Sequence, residues 1–422
     1  MRRLTGILLL SFALVLASGC QNGAATQQPE QSGSVQQPQQ QPQPGTKPDP
    51  AKPDPAKPND PIDDALNRLT LEQKLGQMLV GGVAGTQIDD TLRKLVAGGQ
   101  VGGLILYKNN ITSIDQTVGL LNELKAANAP NSLPLLLSVD QEGGAVNRMP
   151  AAYTTVPTSQ DIAKSGTADK ARLLGKAIGH QLRGLGFNVN FAPVLDINSN
   201  PKNPVIGNRS FGSSADIVSS FGVEEMIGLR DGQVIPVVKH FPGHGDTTVD
   251  SHLELPVVGK SLEQLRQLEL IPFAKAIKEG AEAVMVAHLL IPAIDPDYPA
   301  SLSPAAIGQL LRSEMGFNGV VITDDMTMGA IVNHYEMRPA VVQSVRAGSD
   351  IVLIAHEYDN VTASLDALQK AVQSGAIPME RIDQSVKRII ALKQRYRLAD
   401  SASPPFDLNV INAELKKAVE QR

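Results

Sequence analysis

Between Gln77 and Ala355 one pattern recurs eight times: a short, almost uninterrupted apolar run, then a stretch of helical length. The runs are Gln77–Val83, Val101–Tyr107, Leu133–Val139, Asn188–Leu195, Val234–Val238, Ala283–Ala287, Gly319–Thr323 and Asp350–Ala355. A strand that is apolar at successive positions is covered on both faces, as in a parallel sheet with helices outside it. Helices fit the intervening stretches, for example Ala168–Leu185, Ser261–Lys278 and Ser303–Glu314, and Pro378–Arg395 reads as a last helix packed on the barrel. Thr70-Leu71-Glu72-Gln73 has the form of a capping box that opens the first helix. Eight such units in about 330 residues predict an α/β fold with a single domain, a (β/α)8 TIM-type barrel. A doubly wound open sheet is the alternative arrangement of the same units.

The pattern is preceded by two segments of different character. Met1-Arg2-Arg3, the apolar run Ile7–Leu16 and Ala17-Ser18-Gly19 before Cys20 read as a lipoprotein signal over residues 1–19, with the lipid on Cys20. That apolar run is too short for a comfortable membrane span. Cys20 is the only cysteine among 422 residues, so no internal disulfide can form. Residues 20–61 are rich in Gln, Pro, Gly and Ser, and Lys47-Pro48-Asp49-Pro50-Ala51 repeats at once as Lys52-Pro53-Asp54-Pro55-Ala56. So few large apolar side chains predict a disordered, extended spacer. The expected partition is a signal at 1–19, a linker at 20–61 and a barrel domain with a C-terminal helix at 62–422. The expected location is the cell membrane, lipid-anchored, on its extracytoplasmic side. Net charge is −5 with no long basic cluster, which argues against a nucleic-acid partner.

Polar residues follow five of the apolar runs directly: Asp140, Asp196, Lys239 with His240, His288, and Asp324. In a barrel these positions converge on the C-terminal rim, where such folds carry their active sites. An Asp after one strand often only caps the next helix; five equivalent positions predict a polar pocket. The densest stretch is Lys239-His240-Phe241-Pro242-Gly243-His244-Gly245-Asp246-Thr247-Thr248-Val249-Asp250-Ser251-His252.

The chain has no phosphate-binding loop and no Gly-x-Ser-x-Gly nucleophile elbow, and no catalytic cysteine is available. Metal-assisted hydrolysis and glycoside cleavage remain. A metal site would draw on His240, His244 and His252 with Asp246 or Asp250, but Pro242, Gly243 and Gly245 break any helical spacing of the histidines. Glycoside cleavage would use Asp250, His252 and Asp324. Side chains at i and i+2 of an extended segment point the same way, so Asp250 can hold His252 as the proton carrier while Asp324 attacks the sugar.

Those residues resemble glycoside hydrolase family 3, in particular its bacterial β-N-acetylhexosaminidases. Lys239–His252 is similar to that branch's Lys-His-Phe-Pro-Gly-His-Gly-x4-Asp-Ser-His pattern in full, and Val321-Ile322-Thr323-Asp324-Asp325-Met326 resembles its nucleophile segment, with Thr323 where Ser is common. The resemblance covers about residues 62–398. It implies His252 as acid/base, Asp250 as its partner and Asp324 rather than Asp325 as nucleophile. Strand alternation agrees that only one of those two aspartates should face the pocket. It implies sugar contacts from Asp140 and Arg148, in and after Asp140-Gln141-Glu142-Gly143-Gly144, from Arg209, and from Lys239 and His240. No metal and no cofactor are expected. The implied substrate is a glycan with terminal β-linked N-acetylglucosamine, notably a muropeptide. Alternatives are a non-catalytic sugar-binding lipoprotein, a β-glucosidase of the same family, and phosphorolysis in place of hydrolysis.

Overall fold

The computed structural model describes residues 60–421. The expected signal, the lipidation site Cys20 and the linker up to residue 59 lie outside the described residues. Eight strands form a closed, all-parallel barrel in chain order: β1 (Leu79–Gly82), β2 (Gly103–Leu106), β3 (Leu136–Val139), β4 (Val189–Asn190), β5 (Ile235–Phe241), β6 (Ala283–Val286), β7 (Val320–Asp325) and β8 (Ile351–Ile354). The ring closes by pairing β1 with β8, Val80 opposite Leu353. The doubly wound alternative is thereby excluded. All eight apolar runs became strands because the barrel interior and the surrounding helices bury both faces; Val80, Leu136, Val189, Ile235, Ala283, Ile322 and Ile351 are buried.

The helices match the sequence reading where the apolar period is uninterrupted. Ala168–Leu185 forms as one helix, and Met379–Arg395 forms after Pro378. The capping box at Thr70 is made, with Gln73 and Thr70 exchanging side-chain-to-backbone bonds of 3.0 and 3.2 Å. The stretch Ser261–Lys278 is not one helix: it breaks between Leu262–Gln267 and Leu270–Lys278, with Leu268 outside helical geometry. Pro272 has no N–H for the Leu268 carbonyl, which removes the bond that would have joined them. Ala305–Glu314 winds as a π-helix. A further helix, Leu408–Glu420, lies on Ala168–Leu185, where Glu414 meets His180 at 2.7 Å.

The helix Met379–Arg395 closes the end of the barrel where the strands begin. Lys393, buried, donates to the carbonyls of Gly102 and Pro134 and to Gln77 Oε1, all just before β1, β2 and β3. The opposite end, where the strands finish, stays open.

Candidate active site

At the open end the strand ends surround a cavity of about 340 Å³. All five expected sugar-contacting residues line it: Asp140, Arg148, Arg209, Lys239 and His240. So do Asp324 and His252. Asp250 stands behind His252, its Oδ1 2.7 Å from the ring Nδ1 and accepting the His252 N–H at 2.9 Å.

Two neighbours in one strand normally face opposite ways. Lys239 and His240 nevertheless both line the cavity, as do Asp324 and Asp325. The ladders slip at these places: β5 shifts register against β6 between Val238 and Phe241, and β7 against β8 between Ile322 and Asp325. Such irregularities re-aim side chains next to active sites. The alternation argument for Asp324 over Asp325 therefore fails, and hydrogen bonding separates them instead. Asp325 is committed, taking the N–H groups of Thr327 and Ala355 on Oδ1 and the Thr327 hydroxyl on Oδ2. Asp324 accepts, among the described residues, only the Asp325 N–H, at 2.9 Å. Burial pushes its pKa up, but the charges of His240 and His288, that N–H and Lys239 outweigh it and hold the carboxyl below its ordinary range. The result is an ionised carboxylate with an uncommitted oxygen.

The wall from β3 to β5 is a buried charge network. Lys239 Nζ sits 2.6 Å from Asp140 Oδ1 and 2.7 Å from Glu142 Oε1, with Lys239 only 2% exposed. Arg209 grips Glu142 with two parallel bonds of 2.8 Å from Nε and Nη2. Burial alone would raise the Glu142 pKa; Arg209 and Lys239 hold it well below the usual carboxylate range. Glu142 had no role in the sequence reading, although it lies within the segment that named Asp140. Its signal was its spacing: two residues past the rim aspartate, on a turn where Gly143 and Gly144 take φ of 97° and 54°.

Asp196 and His288 do not line the cavity, contrary to the expectation that all five post-strand positions would. Asp196 is fully buried and supports the neighbouring loop: Oδ2 holds His240 Nδ1 at 2.6 Å, and Oδ1 takes the His240 and His244 N–H groups. His240 Nε2 is then left for the cavity, 3.5 Å from Arg209 Nη2. His288, also fully buried, spans Ser301 Oγ and the Asp325 carbonyl.

The loop after β5 turns at Gly243, whose φ of 125° an L side chain resists. The metal-ligand grouping of His240, His244 and His252 is not assembled. His240 Nδ1 is taken by Asp196, and both His244 nitrogens are taken, by Thr247 Oγ1 and Ser251 Oγ at 3.0 Å each.

Two aromatic rings complete the cavity and were missed. Tyr107 stacks on His356 at 5.6 Å between centroids and 13° between planes. Burial and the charges of Asp325, Asp140 and Asp324 push the Tyr107 hydroxyl pKa well up, so it stays a donor. His356 directly follows the run Asp350–Ala355. The rule that found the other rim residues would have found it had it been applied to the eighth strand.

The arrangement brings together an ionised carboxylate, a carboxylate-held imidazole and a wall of fixed charges suited to hydroxyl and amide groups. Comparison with known proteins agrees in kind. Residues 70–392 match the family described as "Glycosyl hydrolase family 3 N terminal domain". The chain is 37% identical over 333 residues to the protein named Beta-hexosaminidase LpqI of Mycobacterium tuberculosis (strain ATCC 25618 / H37Rv), covering 77% of this chain and 83% of that one. It is 37% identical over 298 residues to a Beta-hexosaminidase of Stenotrophomonas maltophilia (strain K279a), covering 69% and 87%. Among solved structures, a glycoside hydrolase family 3 beta-N-acetylglucosaminidase from Paenibacillus sp. str. FPU-7 superposes with a TM-score of 0.78 at 44% identity, covering 83% of this chain and 68% of that one.

Proposed function

The chain belongs to glycosyl hydrolase family 3, and on that footing we propose that it is a retaining β-N-acetylhexosaminidase that removes terminal N-acetylglucosamine from β-linked glycans. The names of its relatives support the hydrolase class and the sugar. The observation that carries the mechanism is the shared cavity of Asp324 and His252, with the imidazole held by Asp250. Asp250 accepts the Nδ1 proton and fixes the ring's orientation, which leaves Nε2 free to work. Nε2–H gives its proton to the glycosidic oxygen while an Asp324 oxygen bonds to the anomeric carbon and the old C–O bond breaks. The neutral imidazole then takes a proton from water, whose oxygen attacks the same carbon and releases Asp324. Asp140, Arg148, Arg209, Lys239 and His240 hold the ring during both steps.

Peptidoglycan fragments are the proposed natural substrate, and a lipid on Cys20 the proposed anchor outside the cytoplasm. An extracytoplasmic tether and an N-acetylglucosamine-cleaving pocket both suit wall turnover. Loss of membrane association in Cys20→Ala tests the anchor. Product analysis by NMR on an N-acetylglucosaminide, with and without phosphate, tests the reaction. Free β-N-acetylglucosamine formed first is the expected product. A sugar phosphate would mean phosphorolysis, an α-product would mean inversion, and binding without turnover would mean a binding protein.

A further inference from the structure

The segment that carries His252 does not hang freely from β5. It is seated from two sides by groups that the mechanism above does not use.

On one side is His244. Thr247 Oγ1 accepts from Asn203 Nδ2 at 3.1 Å and lies 3.2 Å from the His244 carbonyl. The same hydroxyl lies 3.0 Å from His244 Nδ1, and the Ser251 hydroxyl 3.0 Å from Nε2. A neutral ring donates from one nitrogen and accepts at the other, so it bridges the two hydroxyls. Burial and the neighbouring His240 push the His244 pKa down to about 4, which keeps this neutral form in place at working pH. Ser251 is the residue between Asp250 and His252, so this bond fixes the middle of the dyad.

On the other side is the chain just past the nucleophile strand. Gly329 N–H donates to the His252 carbonyl and Ala330 N–H to the Ser251 carbonyl, both at 3.1 Å. Asn333 Nδ2 donates to the Leu253 carbonyl at 2.9 Å. The approach at Gly329 leaves no room for a side chain. A Cβ there would lie 2.7 Å from the His252 carbonyl oxygen and 2.6 Å from that of Leu253. Both are backbone atoms, so the loop itself would have to move. Gly329 is five residues from Asp324 along the chain.

From this contact we infer that Gly329 and the His244–Ser251 pair are positioning residues that set the acid/base against the nucleophile. The loop borrows its position from the β7 end, so the two halves of the reaction keep one spacing. The inference rests on the assignment of His252 as acid/base. Gly329 is chosen over its neighbours because Ala is a better helix former at the start of Gly329–Val332. An effect of Gly329→Ala therefore comes from the loop contact and not from the helix.

The test is kcat/KM of Gly329→Ala, Ser251→Ala and His252→Ala on a series of N-acetylglucosaminides. The series runs from a 2,4-dinitrophenyl leaving group, which needs no proton, to the N,N′-diacetylchitobiose linkage, which does. This ratio reports formation of the glycosyl intermediate only. The expected result for Gly329→Ala is a loss of about 100-fold on the disaccharide, the scale of a reacting group displaced by about 1 Å, and less than about threefold on the dinitrophenyl substrate. Ser251→Ala should follow the same trend with a smaller loss, and it keeps the test open if Gly329→Ala does not fold. Equal losses on both substrates, or none, in both variants would overturn the inference while His252→Ala still discriminates. If His252→Ala itself fails to discriminate, the acid assignment falls instead.

Discussion

The two sides of the cavity are built on opposite plans. The sugar side is buried and self-compensating: Lys239 is 2% exposed and Glu142 3%, and each is bonded to opposite charge before any substrate arrives. The proton side is open: the His252 side chain is 62% exposed, and its place is secured mainly through main-chain bonds. The contrast follows from what each side must do. Hydrogen-bonding groups gain from being fixed in advance in a low-dielectric wall. A proton carrier must exchange with water between its two steps.

Perturbations should respect this division. The largest effect belongs to Asp324, where the sides meet: Asp324→Asn should lower kcat by at least ~10⁴-fold while N-acetylglucosamine still binds, measured by steady-state kinetics and calorimetry. Next comes the sugar side. Glu142→Gln leaves the buried Lys239 and the part-buried Arg209 facing one fewer carboxylate, and should cost about 3–5 kcal/mol of stability in chemical denaturation and raise KM. The Glu142 pKa is lowered by folding, so its stabilisation is complete above the unfolded value of about 4.3 and fades as pH falls toward the folded one. The variant should lose that part of the acid-induced decline; an unchanged decline would mean that the network does not matter to folding.

On the proton side, burial raises the Asp250 pKa but the bonds from His252 outweigh it, holding the carboxyl below its ordinary range. Asp250→Asn replaces the carboxylate that accepts the Nδ1 proton and orients the ring. It should lower kcat/KM on the disaccharide by roughly 10–100-fold and on the dinitrophenyl substrate by much less. Equal losses on the two substrates would mean that Asp250 does not act through proton transfer. The smallest effect is expected at the exposed pair Glu254–His334, at the far end of the same loop. Glu254→Gln should change rates by less than about twofold, because solvent screens the pair and the main-chain bonds remain. A larger loss would mean that the charged pair, and not the backbone, holds the loop.

Much of this was legible in the chain because buried parallel strands write themselves as apolar runs. The residue after each run marks the rim, which is how Asp140, Lys239, His240 and Asp324 could be named. Their ranking was not legible. Asp196 and His288 have the same sequence signature as Asp140, and only tertiary packing buries them outside the cavity lining. The register slips beside Lys239 and Asp324 depend on pairing with β6 and β8 and have no local mark. The break at Leu268 does have one, in Pro272. The role of Gly329 was silent, since what it avoids is a carbonyl from a different loop.

The central claim is a covalent glycosyl bond to one rim carboxylate. Incubation with a fluorinated N-acetylglucosaminyl fluoride, then proteolysis and mass spectrometry, reads that bond directly. The account predicts a single modified peptide with the sugar on Asp324, absent from Asp324→Asn. A label on Asp325, Asp140 or any other side chain would contradict it.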